Sequence, residues 1–177
     1  MTHRTIRDLV FSAVCLALCL LLPFLTGQVP QFGSMLCPMH IPVFLAGFFC
    51  GPWWGMVVGA VAPTLRYLIF SMPPPLPTGL AMTFELAAYG LVSGLLYRIL
   101  PKRPAGVYVA LVGSMLVGRV VWGLASLVIW SAAGDAFTWP IFAAGAFFNA
   151  IPGIILHLIV VPALVIALQK SKSVPSA

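Results

Sequence analysis

Arg66 and Glu85 are the side chains from which chemistry is expected first. They stand in the stretch LRYLIFSMPPPLPTGLAMTFELAAYG, Leu65 to Gly90, on either side of a proline-rich turn, Pro73 to Pro77. Each lies one or two helical turns from that turn. At about 1.5 Å per residue both sit roughly 6 to 10 Å inside an apolar layer. An ionised side chain placed in lipid costs about 2.5–3.5 kcal/mol on insertion scales. Such groups persist where they face a protein interior or a wet cavity, often because they bind something. Arg119 is a third, near the middle of a later apolar run, and Met115, Trp122 and Ser126 share its face at helical spacing. Gly145, Asn149, Gly153 and His157 share a face of the last run, and His40 opens a short one. These faces can converge into one pocket between helices, open to one side of the membrane.

Other roles are open to the same residues. Arg66 and Glu85 suit a structural ion pair. Arg119 suits a pair with Glu85 or a bond to carbonyls at a bend near Gly118 or Gly123. Asn149 suits an interhelical clamp, and His157, lying deeper, a structural contact. Trp122 suits stacking, and His40 a place at the mouth. Enzyme templates fit poorly, for the chain has no convincing Ser/His/Asp set, no paired carboxylates and no phosphate-cradling loop. Cys37-Pro-Met-His40 offers two metal ligands where a site needs three or four, so neither metal nor cofactor is expected.

The elements that must hold these groups are membrane helices. The 177 residues are 62% hydrophobic and 7% charged, which belongs to an integral membrane protein forming one domain, 1–177. The net charge of +6 does not imply nucleic acid, since Arg4, Arg7, Arg98, Lys102, Arg103, Lys170 and Lys172 flank apolar segments as topology signals. The expected spans are 9–25, 40–51, 54–70, 79–100, 107–130 and 140–168, the last bent or broken around Pro152. The span from 40 to 51 is too short to cross about 30 Å of hydrocarbon alone, and could instead merge with the next into one kinked helix. Charge bookkeeping favours six spans. Both termini and the Arg98/Lys102/Arg103 loop then share the cytoplasmic side, and the first loop, the proline-rich turn and the Asp135 loop lie outside. The missing length would come from the first loop, Thr26 to Met39, folding into the membrane. The basic, apolar N-terminus lacks an A-x-A-like cleavage site and reads as an uncleaved first span. Glycines 47, 51, 55 and 59 have the spacing of close helix packing, divided between two helices. Of the four cysteines, the three in apolar runs read as small packing residues.

A small six-span chain with Ala13-x-x-x-Ala17 on span one, written AVCLA, and a long outer loop before span two resembles the substrate-binding S component of an energy-coupling factor (ECF) vitamin importer. The stretches SMLCPMHIPVFLAGFFCGPWWG, MPPPLPTGLAMTFELAAYG and AGAFFNAIPGIILH are similar to a group of S components, some linked to cobalamin-precursor salvage, such as dimethylbenzimidazole or its riboside. The resemblance implies an all-α, six-helix bundle in the bacterial cytoplasmic membrane, with both termini cytoplasmic. It implies that the chain binds a vitamin-like solute at the outer face and then topples to dock on a transmembrane coupling subunit with two ATPase subunits. Ala13 and Ala17 would form the docking surface. Glu85 would hydrogen-bond a ring N–H or amine, Arg66 or Arg119 would meet an acceptor or acid, and Trp122 would stack, with Asn149 and His40 also at the site. A pantothenate-type carboxylate is the alternative ligand, and a non-transporting assembly factor or sensor the alternative class. The chain has no P-loop pattern, so any ATPase is a partner protein.

Overall fold

A computed structural model describes residues 3–26, 35–134 and 138–170, apart from a few side chains near the ends of these stretches and that of residue 147. Most of the first loop (27–34), residues 135–137 with Asp135 among them, and the tail beyond 170, which includes Lys172, lie outside the described residues. The described chain is helical throughout: α1 (His3–Leu21), α2 (His40–Cys50), α3 (Pro52–Phe70), α4 (Leu80–Ile99), α5 (Pro104–Ala132), α6 (Trp139–Ala143) and α7 (Ile151–Lys170). Five stretches are long and apolar enough to cross a membrane: Thr5–Phe24, Pro52–Phe70, Pro75–Ile99, Pro104–Ala132 and Trp139–Lys170. With the shorter α2 they make an all-α integral membrane bundle.

The choice between a hairpin and a kinked helix at Gly51 is made by its backbone. Gly51 has φ +96°, a conformation that L side chains rarely adopt, and Pro52 opens the next helix. A Cβ added at Gly55 would meet Gly47 Cα at 2.7 Å. Residues four before and four after Gly51 therefore lie side by side, and α2 and α3 form a hairpin rather than one kinked helix. At 11 residues, α2 is only about 16 Å long. Residues 35–39 lie beyond its start and turn from the exposed Met35 to the buried Pro38 and Met39. The Cys19 thiol on α1 reaches the Met39 carbonyl at 3.5 Å, and a Cβ at Gly153 on α7 would meet the Met35 carbonyl at 2.5 Å.

Turns set the other connections. Ser71 ends α3 in the left-handed region (φ +58°), its N–H bonded to the Tyr67 carbonyl at 2.7 Å. Gly79 N–H then donates to the Pro74 carbonyl at 2.8 Å, closing a wide turn into α4. The last span is broken by the wide turn Ala144–Phe148, and α7 starts at Ile151, just ahead of Pro152.

Helix α4 packs against α2, α3 and α5 and forms the centre of the bundle. Gly47 of α2 and Gly55 of α3 both approach the Gly90 carbonyl of α4 closely enough that a Cβ would overlap it. Lipid tails are as apolar as leucine, so burying apolar surface drives helix association weakly in a membrane. Close backbone approach and interhelical polar contacts do more. Phe44, Phe48, Leu86, Tyr89, Tyr97, Leu111 and Val161 fill the core this approach creates. Cys15, Cys19 and Cys50 are buried free thiols on packed helices. At one end of the bundle a cleft of about 480 Å³ is lined by Asp8, Cys50, Trp53, Trp54 and Arg98. It brings together the N-terminal parts of α1 and α3 and the last turns of α2 and α4, as an antiparallel up-and-down order requires.

Candidate functional site

Glu85 occupies the second turn of α4 and is buried. Arg119 on α5 donates to its Oε1 at 2.9 Å, and Tyr89 Oη, one turn along α4, donates to the same oxygen at 2.7 Å. The carboxylate is thus held by one cation and one hydroxyl from two helices. Gly118 makes the α4–α5 approach possible, since a Cβ there would overlap the Tyr89 ring. Tyr89 is a site residue that sequence reasoning missed. Its signal is the i, i+4 spacing from Glu85, which puts both on one helix face.

His40 opens α2 and completes the cluster. Its Nε2 lies 3.9 Å from Glu85 Oε1, and the side chain is only 4% exposed. That separation exceeds hydrogen-bond length. Both ring nitrogens are buried without a hydrogen-bond partner. A buried polar group left in that state costs about 1–3 kcal/mol, which the Glu85 carboxylate facing Nε2 offsets in part. Around it stand the rings of Tyr89 (centroid 5.2 Å) and His157 (5.5 Å), with Phe44 packed on both at 5.0 and 5.9 Å. His157, read as deep and structural, is a direct neighbour of His40, and its Nε2 is bonded to the Cys37 carbonyl at 3.2 Å. The Cys37 side chain in turn interacts with the Arg119 guanidinium. The segment before α2 therefore roofs the cluster. Among the described residues no group of three or more His, Cys, Asp or Glu side chains is arranged to hold a metal ion.

The remaining candidates fall elsewhere. Trp122, on the Arg119 face of α5, stacks on Phe142 of α6 (centroids 6.1 Å, planes 28° apart) and lies against Gly145. It lines the α5–α6 seam one turn from Arg119. Asn149 is exposed. The wide turn Ala144–Phe148 shifts the register, so the face expected to join Gly145, Asn149, Gly153 and His157 is not continuous, and only Gly153 and His157 of α7 point inward. Ala13 and Ala17 lie on the exposed side of α1, opposite the buried Cys15 and Cys19.

Arg66 stands apart from Glu85. It is buried at the other end of α3, where its Nη1 donates to the Leu20 carbonyl of α1 at 3.0 Å. Its guanidinium lies 6.0 Å from the Phe24 ring and 5.5 Å from the Phe70 ring. It donates to a carbonyl in the last turn of α1 and ties α1 to α3. Arg66→Met removes the donor and the cation. It should lower stability by about 1–2 kcal/mol while leaving ligand affinity unchanged. Thermal unfolding followed by a thiol-reactive dye on the buried cysteines measures the first effect, and isothermal titration the second.

The cluster is a closed, charge-paired polar centre joined by α2, α4, α5 and α7 in an apolar bundle. No curated protein and no solved structure matches the chain. The family model for the substrate-specific component of ECF transporters matches residues 7–165, nearly the whole length and every helix of the cluster. The chain belongs to the ECF transporter substrate-specific component family.

Proposed function

We propose that the chain is the substrate-binding membrane subunit of an ATP-driven importer for a vitamin or vitamin precursor, with a heteroaromatic cobalamin precursor, dimethylbenzimidazole or its riboside, as ligand. The observation that carries this reading is the buried Glu85–Arg119 pair with the His40 imidazole, which makes no hydrogen bond of its own, 3.9 Å from the same carboxylate. An ion pair that serves only to pin helices needs no imidazole from a third helix facing it. Glu85 accepts a ring N–H of the ligand, Arg119 and His40 complete the polar contacts, and Trp122 offers a ring face along the α5–α6 seam. Arg66 and Asn149 are left out on geometric grounds. The like disposition of Arg98, Lys102 and Arg103 with the basic N-terminus supports both termini on the cytoplasmic side of the cell membrane. ATP hydrolysis falls to two partner ATPases, reached through a coupling subunit that docks on α1 at Ala13 and Ala17.

Two sets of variants test the reading. Glu85→Gln should weaken dimethylbenzimidazole binding about tenfold or more, the effect of one lost charge-assisted hydrogen bond. Binding at full strength removes Glu85 from the site. Ala13→Leu with Ala17→Leu should leave binding intact in the purified protein and abolish uptake and co-purification with the coupling subunit. Both residues are exposed, so the bundle itself is not overpacked. Unchanged uptake would move the docking surface off α1.

A further inference from the structure

We infer that the cleft at the Arg98 end of the bundle holds the headgroup of an anionic phospholipid, a phosphodiester of the phosphatidylglycerol class. The inference does not depend on what the Glu85–Arg119 cluster binds. The cleft, about 480 Å³, falls within the roughly 300–1,000 Å³ of small-molecule pockets. Asp8 of α1, Cys50 of α2, Trp53 and Trp54 of α3, and Arg98 of α4 line it.

Charge decides what the cleft takes. Arg98 stands in the last turn of α4, its Nη2 set against the hairpin at Gly51, where an added Cβ would lie 2.5 Å from it. Its guanidinium makes no hydrogen bond, ion pair or ring contact among the described residues. Asp8, the carboxylate of the lining, is held by Arg7 Nη2 at 2.7 Å and Nε at 3.0 Å. One positive charge is left over, on a planar fork that suits two phosphate oxygens at once. Asp8 also limits the charge of the guest. A phosphomonoester carries about 1.5–2 negative charges at pH 7 and is repelled by the carboxylate. A phosphodiester has one ionised oxygen and balances Arg98 alone.

The surroundings favour a lipid over a free anion. Trp53 is 68% exposed, and indole rings of this kind sit at the membrane–water interface. Val57, Val61 and Leu68 continue its face along α3 at helical spacing, and all are exposed. A headgroup at Arg98 therefore has an apolar track for an acyl chain leading away from it. Lys102 and Arg103, both exposed, follow the end of α4 and add to the attraction for an anionic leaflet.

The experiment uses the full chain, purified in detergent, stripped of lipid and then given dioleoyl phosphatidylglycerol or dioleoyl phosphatidylethanolamine in mixed micelles. Phosphatidylglycerol should raise the melting temperature more than phosphatidylethanolamine does, and native mass spectrometry should find one molecule of it retained per chain. Arg98→Gln should lose the retained lipid and bind phosphatidylglycerol at least about tenfold more weakly. Arg103→Gln removes an exposed charge outside the cleft lining and should keep both. Equal losses in the two variants, or no loss in either, would reduce the cleft to part of a diffuse basic surface and overturn the inference. The wild-type chain alone supplies a further test. Equal shifts from the two lipids overturn the charge argument, and an equal shift from glycerophosphoglycerol, the same headgroup without chains, assigns the cleft to a free anion. Retained phosphatidylglycerol in Arg98→Gln together with lost co-purification of the coupling subunit would give the cleft to a protein contact instead, and likewise overturns the inference.

Discussion

Removing either member of the Glu85–Arg119 pair should cost about 3–5 kcal/mol, because the partner is left as an uncompensated charge in a buried site. Glu85 has a side chain 3% exposed and Arg119 one 13% exposed, so water reaches neither well enough to replace the lost partner. For a chain of this size that corresponds to a fall in melting temperature of roughly 6–20 °C. The two single variants should differ. Arg119→Met leaves a carboxyl that a proton can neutralise and that Tyr89 still contacts. Glu85→Leu leaves a guanidinium that cannot shed its charge and strands the Tyr89 hydroxyl as well. Glu85→Leu is therefore the costlier single change. The double variant Glu85→Leu/Arg119→Met removes both charges and should recover most of the loss, to within about 1–2 kcal/mol of wild type, since replacing a buried pair with apolar groups is often nearly neutral. It should nonetheless bind no ligand. That combination, stability restored and binding absent, separates a pair kept for its ligand from one kept for the fold. A double variant as unstable as the sum of the singles would show the two residues acting independently and dissolve the cluster as a unit.

The cost of ionised groups in lipid makes part of this centre legible in the sequence. Glu85, Arg119 and His40 are polar residues that an apolar bundle has reason to gather, and the structure brings them together. Depth, however, does not determine direction around a helix axis. Arg66 and Glu85 count out to similar depth from the same turn, yet α3 aims Arg66 at the Leu20 carbonyl of α1 while α4 aims Glu85 at α5. A carbonyl near the end of a neighbouring helix leaves no mark in a hydrophobicity pattern. Asn149 is lost to the site for a different reason. Its expected face assumes an unbroken helix, and the wide turn Ala144–Phe148 adds residues to one turn and rotates everything after it. Tyr89 escapes notice because an aromatic residue in an apolar run has the ordinary look of core. The helix pattern itself is plain from hydropathy, with the hairpin at Gly51 decided by a glycine and a proline side by side.

Gly90→Ala should be among the most destabilising single-methyl additions this chain can receive. A Cβ at Gly90 would overlap the Gly55 carbonyl, and the Gly90 carbonyl itself is approached by Gly47 and Gly55. The obstacle is backbone on the facing helix, which cannot rotate aside as a side chain can. Accommodation requires α4 to move away from the α2–α3 hairpin, and in lipid no gain in apolar burial offsets the lost contacts. Overpacking of a tight core costs about 1–3 kcal/mol, and the rigid obstacle puts this site at the upper end, a fall of roughly 6–12 °C in melting temperature. Gly113→Ala on α5 is the matched control, for its Cβ would meet only the terminal Leu96 Cδ1, at 2.9 Å, and a leucine end can shift. Alanine is also a better helix former than glycine by about 1 kcal/mol. Gly113→Ala should therefore be neutral or mildly stabilising. Because α4 carries Glu85 and Tyr89, separating it from α2 also draws them away from His40. Gly90→Ala should accordingly weaken ligand binding at a temperature where the protein is still folded, although Gly90 itself faces the hairpin. Equal melting temperatures for the two alanine variants would mean that the contact between α4 and the hairpin yields freely, and would remove the packing basis on which the cluster is held in register.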